Sequence, residues 1–332
     1  MNFAEFRVLR ESIRQEHPQL LDLAETNHVR ALGPWLPRVE GIEDAPRAHR
    51  CHLAEDWLSL FDLPAKWKSR LCISRGVRHS LSLLLPTFAN DGYVLHLPGD
   101  VYPVYESLAN VAGITSRSFP TLPTPQFPNM APIEPEALLL PNPLKPLGRF
   151  LSGEEVEALK EWLKVDERRR LILDAVYTFD TQLHPTTLEL LATGQAIVLH
   201  SLSKGWAAPL VLGAALFPET DADAFRPSFR NDPPSQPELQ RGRLLLRDHP
   251  GLPHRLREVL EKKQNVVEEK MAVQGIALNF CGCPGYLTTV ALPWEEMHQR
   301  HGVLAIPASA FGSSRHDHSI LSTLAVETSG LV

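Results

Sequence analysis

Residues 196–205 read AIVLHSLSKG, an apolar run followed directly by a serine-rich turn that ends in a lysine and a glycine. The run Ala196–Leu199 predicts a buried strand of a parallel sheet. Lys204 would then lie at the carboxyl edge of that sheet, where α/β proteins bind their ligands. Ser201 and Ser203 could hold an anion such as a phosphate, and a lysine with a lowered pKa could form a Schiff base there. A surface lysine in a serine-rich turn is the alternative interpretation.

A second segment has the same arrangement of an apolar strand followed by polar side chains. Residues 171–177 read LILDAVY, and we predict a strand over Leu171–Val176. At the sheet edge Asp174 could pair with a protonated ring nitrogen, and Tyr177 could donate a hydrogen bond to a ring oxygen. The alternative for the aspartate is a helix cap or a loop turn.

Two earlier segments also place polar or aromatic residues after predicted strands. Residues 74–78 read SRGVR and precede a predicted helix, so the turn at Gly76 would expose N–H groups to an anion. An ordinary turn is the alternative. Residues 98–105 read PGDVYPVY and follow a strand predicted at Tyr93–Leu97. Tyr102 would project from the edge and could stack on a flat ring.

The alternation of strands and helices predicts an α/β fold, with a large domain whose mostly parallel sheet is covered by helices. A proline- and charge-rich stretch over 218–237 predicts a break before a small α+β domain. We assign residues 1–45 to an N-terminal arm contributing to the small domain, 46–240 to the large domain and 241–332 to the small domain.

Composition excludes several classes of protein. The chain has 332 residues, 33 lysines plus arginines and 39 aspartates plus glutamates, a net charge of −6 that argues against a nucleic-acid binder. Its 29 prolines exclude a simple helical bundle. The four cysteines form no metal-binding pattern, so we expect no metal site, and we expect free thiols in a reducing compartment. The charged N-terminus and the lack of an apolar run of roughly 20 residues predict a cytoplasmic protein without membrane partners.

Taken together, in their order along the chain, the four segments resemble the fold-type-I pyridoxal-phosphate enzymes, specifically the class I/II aminotransferase family. Two further stretches are similar to this family: residues 140–150, LPNPLKPLGRF, resemble its asparagine-proline loop, and residues 301–314, HGVLAIPASAFGSS, the start of its C-terminal signature. The resemblance covers roughly residues 50–325.

The resemblance implies a role for each of these residues around pyridoxal 5'-phosphate. Lys204 forms the Schiff base with the cofactor and moves the proton at the substrate Cα. Asp174 keeps the pyridine nitrogen protonated, Tyr177 hydrogen-bonds the ring hydroxyl and Tyr102 stacks on the ring. The groups implied around the phosphate are Ser201, Ser203, and the backbone of Gly76 and Val77.

The sequence departs from the family pattern around the cofactor. The second asparagine of the family's loop is replaced by Lys145, which could still donate to the ring oxygen, or point away while Asn142 compensates. The family's phosphate-binding arginine after the Schiff-base lysine is missing. Because an unpaired buried phosphate is costly, we hypothesise that Arg75 or Arg78 replaces it.

The arginine that clamps the substrate α-carboxylate is also missing. Ile320 stands at its place, while Arg315, five residues earlier, could reach the carboxylate by another path. Alternatively the clamp is absent, and His316 and His318 either recognise another group or are solvated loop residues.

These observations predict an aminotransferase that acts on an amino acid or amine and a keto acid, with an unusual substrate in specialised metabolism. A lyase, decarboxylase or cyclase using the same cofactor is the alternative, and a non-catalytic regulatory module is a third possibility. The resemblance also implies a homodimer.

Overall fold

The computed structural model describes residues 1–37, 47–101, 103–128, 134–209, 211–278, 280 and 285–327. The helices are α1 Phe3–Glu16, α2 His28–Leu32, α3 Arg50–Leu60, α4 Val77–Asn90, α5 Val104–Ala112, α6 Gly153–Lys164, α7 Pro185–Leu191, α8 Leu202–Gly205, α9 Ala222–Asn231, α10 Gln236–Asp248, α11 Leu252–Ala272 and α12 Trp294–His301. The strands are β1 Leu21–Asp22, β2 Leu71–Ser74, β3 Val94–Pro98, β4 Thr115–Phe119, β5 Glu136–Pro141, β6 Arg170–Asp174, β7 Ala196–Ser201, β8 Gly213–Leu216, β9 Leu287–Val290, β10 Val303–Leu304, β11 Ile306–Pro307 and β12 Ser319–Ser322.

The large sheet of the described residues has seven strands in the order β2-β8-β7-β6-β5-β3-β4. Pairing is parallel from β7 to β4, and β8 runs antiparallel to both of its neighbours. Asp174, the last residue of β6, is in register with Pro141 of β5 and Leu199 of β7. The prediction of a mostly parallel α/β sheet is therefore confirmed, and the carboxyl ends of β5, β6 and β7 meet at one edge.

Both faces of this sheet are buried, which explains the continuous apolar runs in its strands. In β5, Leu138 and Leu140 join the core on one face, whereas Ala137 and Leu139 join the core on the other. The alternation follows from the pleat of the strand, because successive side chains point to opposite faces. The helices predicted between these strands cover the two faces.

The N-terminal segment pairs with the C-terminal part of the chain. Strand β1 lies parallel to β10, with Leu21 opposite Val303, and β11, β12 and β9 form a separate antiparallel sheet. On α1, the Phe3 ring meets the Phe311 ring edge-on, with centroids 5.9 Å apart. The division of the chain into an arm and two domains stays a prediction.

The structure differs from the sequence-based prediction over residues 218–237. This stretch contains helix α9, whose Phe225 and Phe229 are buried against Phe217 and, for Phe225, also against Phe88. Two aromatic residues at helical spacing thus form a helix here despite the prolines, and the domain boundary placed at this stretch stays a prediction. Helix α7 and strand β12 were also absent from the prediction.

Two of the four cysteines, Cys51 and Cys72, are free thiols, and burial raises the pKa of Cys72 to about 11. The other two lie outside the described residues. In the described part of the chain, no helix combines the length and the apolar character that crossing a bilayer requires.

Candidate active site

A cavity of about 750 Å³ opens at the carboxyl edge of the large sheet. Ten of the residues predicted from sequence line it: Arg75, Gly76, Val77, Arg78, Lys145, Asp174, Tyr177, Ser201, Ser203 and Lys204. Asn142 and Arg315 are not among its lining residues, and Tyr102 lies outside the described part of the chain. The sheet topology thus brings together the segments that follow the predicted strands.

The turn before α4 is shaped to receive an anion. Gly76 has a φ of +115°, a conformation that favours glycine, and a Cβ there would lie 3.0 Å from the Ser201 hydroxyl. Gly213 packs against the Gly76 backbone and leaves no room for a side chain. The start of α4 has no side-chain cap. Its first N–H groups are therefore open to an anion at the cavity wall.

Helix α8 directs Lys204 into the cavity. Ser201 caps this short helix, because its hydroxyl accepts a hydrogen bond of 3.1 Å from the Ser203 N–H. The Lys204 amine lies 2.9 Å from Nδ1 of His28 and donates to the Tyr286 hydroxyl at 3.3 Å. Among the described residues, no carboxylate pairs with the amine.

Asp174 is a buried carboxylate, only 5 % exposed, at the end of β6. One of its oxygens accepts from the Tyr105 hydroxyl at 2.6 Å and the other from the Val176 N–H at 2.9 Å. Burial and the nearby carboxylate raise the pKa of Tyr105 well above its ordinary value. The hydroxyl therefore stays protonated and fixes Asp174 as an acceptor.

Two lysine amines flank the Tyr177 ring. Lys145 Nζ lies 2.6 Å from the ring centroid and Lys204 Nζ lies 5.2 Å from it. Burial and the Lys204 charge hold the pKa of Lys145 well below its usual range, although the Asp174 charge opposes this. The Tyr177 hydroxyl is 2.9 Å from the Tyr286 hydroxyl, and burial raises the Tyr177 pKa.

The amide of Asn142 is engaged with the surrounding loop and α7. Its nitrogen donates to the hydroxyls of Thr186 and Thr187, at 3.0 and 2.9 Å, and its oxygen accepts from the Leu151 N–H at 3.1 Å. The side chain is fully buried. Of Asn142 and Lys145, Lys145 is therefore the one whose side chain lines the cavity.

The arginines predicted near the phosphate differ in their surroundings. Arg75 forms a two-pronged ion pair with Asp232, at 3.0 and 2.8 Å. Arg78 is exposed and has no ion-pair partner within the described residues. Arg78 is therefore the guanidinium of this turn that is free to meet an anion.

Near the C-terminus, Arg315 is paired with Asp317 at 2.7 and 2.9 Å. Ile320 is fully buried in β12, where it pairs with Ile306 and Thr289. An arginine that the sequence analysis missed, Arg7 of α1, lines the cavity instead.

His28 and Tyr286 also line the cavity and were missed. Their rings are nearly parallel, at 11°, with centroids 6.4 Å apart. Neither residue belongs to a recognisable motif, because one comes from the arm and the other from the segment before β9. Only the fold could have revealed their proximity to Lys204.

Comparisons with known proteins support this architecture at the level of structure. No family model matches the chain, and no curated protein matches it significantly by sequence. The methionine aminotransferase YbdL from Escherichia coli superposes with a TM-score of 0.74 at 16% identity, covering 97% of this chain and 92% of that one. The aspartate aminotransferase from Rhizobium meliloti gives 0.73 at 14% identity, with 98% and 92% covered. A double mutant of the Thermus thermophilus aspartate aminotransferase gives 0.73 at 16%, with 98% and 93% covered. The chain therefore has the fold of the fold-type-I aminotransferases.

Proposed function

We propose that this protein is a pyridoxal-phosphate-dependent aminotransferase that acts on an amino acid or amine and a keto acid. The observation that carries the proposal is the placement of the Lys204 amine and the buried Asp174 carboxylate in one cavity of an aminotransferase fold. An amine that can form a Schiff base and a carboxylate that can hold a protonated ring nitrogen are the two groups this chemistry needs.

The cavity also fits the other parts of pyridoxal phosphate. The glycine turn offers a place for the phosphate, since Gly76 leaves room and the start of α4 is uncapped. Ser201, Ser203 and Arg78 would complete this phosphate site, and Tyr177 would donate to the ring oxygen. When bound, the cofactor supplies a sink for the electron pair left at the substrate Cα.

Three residues of the cavity would have different roles in the reaction. Lys204 would hold the cofactor and move the proton at Cα, because it is an amine of this cavity without a carboxylate partner among the described residues. Asp174 would keep the ring nitrogen protonated. Lys145 would place a second amine beside the ring oxygen, where its low pKa permits it to be neutral.

We propose that Arg7 binds the substrate carboxylate. The lining residues include the basic side chains of Arg7, Arg75, Arg78, Lys145 and Lys204, whereas Asp174 is the one carboxylate among them. This imbalance favours an anionic substrate as well as the phosphate. Arg7 is exposed and has no ion-pair partner in the described residues, so its guanidinium is free to bind a carboxylate.

Replacing Arg7 with alanine should raise KM for the amino donor about tenfold, the size of one charge-assisted hydrogen bond. Steady-state kinetics checks this, and the affinity for pyridoxal phosphate should stay unchanged. Arg315→Ala is the matched control and should leave KM within about twofold. A higher KM in Arg315→Ala together with an unchanged KM in Arg7→Ala would instead support the sequence-based hypothesis that Arg315 clamps the carboxylate.

The reaction type is tested by a single half-reaction with the purified holoprotein. An amino acid added without an acceptor should give stoichiometric keto acid and cofactor in its amine form, which mass spectrometry detects. Release of ammonia with unchanged cofactor would contradict transamination and favour the lyase alternative. The homodimer and a role in specialised biosynthesis stay predictions.

A further inference from the structure

His28 contacts the Schiff-base lysine of the proposed function from the N-terminal arm. It is the first residue of α2 and is 9 % exposed. Its Nδ1 lies 2.9 Å from the Lys204 amine, and its Nε2 lies 2.6 Å from the Ser203 carbonyl oxygen. The imidazole therefore links two consecutive residues of α8, the backbone of Ser203 and the side chain of Lys204.

These two contacts determine which nitrogen carries the proton. A carbonyl oxygen can only accept, so Nε2 of His28 must donate to Ser203, and Nδ1 of the neutral ring keeps its lone pair. Burial and the charges of Lys204 and Lys145 lower the pKa of His28 to about 4. His28 is thus a neutral acceptor toward Lys204 near neutral pH.

The second acceptor beside Lys204 is Tyr286. Its hydroxyl receives a hydrogen bond of 3.3 Å from the Lys204 amine and lies 2.9 Å from the Tyr177 hydroxyl, to which it can donate. Lys204 reacts in its neutral form, in which the amine has two N–H bonds and one lone pair. When His28 and Tyr286 accept from the two N–H bonds, the lone pair is left to face the cavity.

We propose that His28 is a positioning residue that acts through Lys204, orienting the amine so that its lone pair attacks an aldehyde in the cavity. A carbon–nitrogen double bond forms as the C=O bond breaks, and the aldehyde oxygen leaves as water with the two protons of the amine. This inference rests on the proposed function, since it assumes that Lys204 bonds to pyridoxal phosphate. His28 takes no part in proton transfer to the substrate. It determines how fast Lys204 forms the carbon–nitrogen bond.

A pair of isosteric substitutions tests the role of the acceptor. In His28→Asn, the amide oxygen can occupy the position of Nδ1 and accept a hydrogen bond. In His28→Leu, the side chain has the shape of asparagine but no acceptor. Both lose the bond from Nε2 to Ser203, so the difference between them reports on the contact with Lys204. The rate of the absorbance change after pyridoxal phosphate is added to the apoprotein is the readout, measured over a pH series.

We expect His28→Leu to react about tenfold more slowly than the natural protein, the effect of one hydrogen bond, and His28→Asn to recover to within about threefold. A rate for His28→Leu equal to that of the natural protein, or one for His28→Asn as slow as that of His28→Leu, would overturn the inference. Thermal unfolding checks that both variants fold. If His28→Leu does not fold, a tenfold loss in His28→Asn overturns the proposal and a loss within threefold supports it. Failure of the natural protein to react at all would instead contradict the proposed function.

Discussion

Lys204→Ala should lower turnover by about four orders of magnitude, the upper end of what a proton-transferring side chain contributes. The variant loses both the covalent attachment of the cofactor and the amine that moves the proton at the substrate Cα. The fold should be unaffected, because Lys204 is half-buried and its side chain contacts neutral groups of the cavity wall. The measurement is kcat with an amino donor and a keto acid acceptor.

Lys145→Ala is the matched control, because it removes the other lysine amine that lines the cavity. Its effect on kcat should be about tenfold at most, as expected for the loss of one hydrogen-bond donor to the ring oxygen. If the two variants lost equal activity, or if Lys204→Ala retained more than about a hundredth of it, the assignment of Lys204 would be contradicted.

Asp174→Asn should fold, bind pyridoxal phosphate and lose turnover about 10²- to 10³-fold, as when a preorganised electrostatic partner is removed. The amide has the shape of the carboxylate: its oxygen can still accept from the Val176 N–H, and its NH2 group can donate to the Tyr105 hydroxyl oxygen. What it lacks is the negative charge that would keep the ring nitrogen protonated. The loss should therefore appear in kcat rather than in cofactor affinity.

Tyr105→Phe separates the charge of Asp174 from its positioning. This variant removes the 2.6 Å hydrogen bond but leaves the carboxylate in place. We expect a loss of about tenfold, the worth of one hydrogen bond to a charged group. Turnover of Asp174→Asn within tenfold of the natural protein would show that the carboxylate charge is not needed.

The sheet and its edge could be predicted from the sequence because the polar site residues directly follow apolar runs that form neighbouring strands. The apolar runs before Asp174 and Lys204 are strands β6 and β7, and these two strands are neighbours in the sheet. Once parallel pairing is assumed, the residues that follow the strands must converge on one edge. The glycine turn at Gly76 joins them because β2 lies beyond β8 in the same sheet.

The remaining residues could not be predicted because distant segments bring them to the cavity. Arg7 and His28 come from the arm, whose position depends on the pairing of β1 with β10. Such pairing over nearly the whole chain has no local signal. The ion pair of Arg75 with Asp232 likewise depends on the packing of α9. This helix could not be predicted, because the prolines around it favour an irregular segment.

Locating the covalent bond to pyridoxal phosphate tests the central claim most directly. The holoprotein is reduced with borohydride, digested and mapped by mass spectrometry, with Lys204→Ala and Lys145→Ala treated in parallel. We predict one equivalent of cofactor on Lys204 in the natural protein and in Lys145→Ala, and none in Lys204→Ala. Cofactor bound at Lys145, or no covalent adduct in the natural protein, would contradict the account.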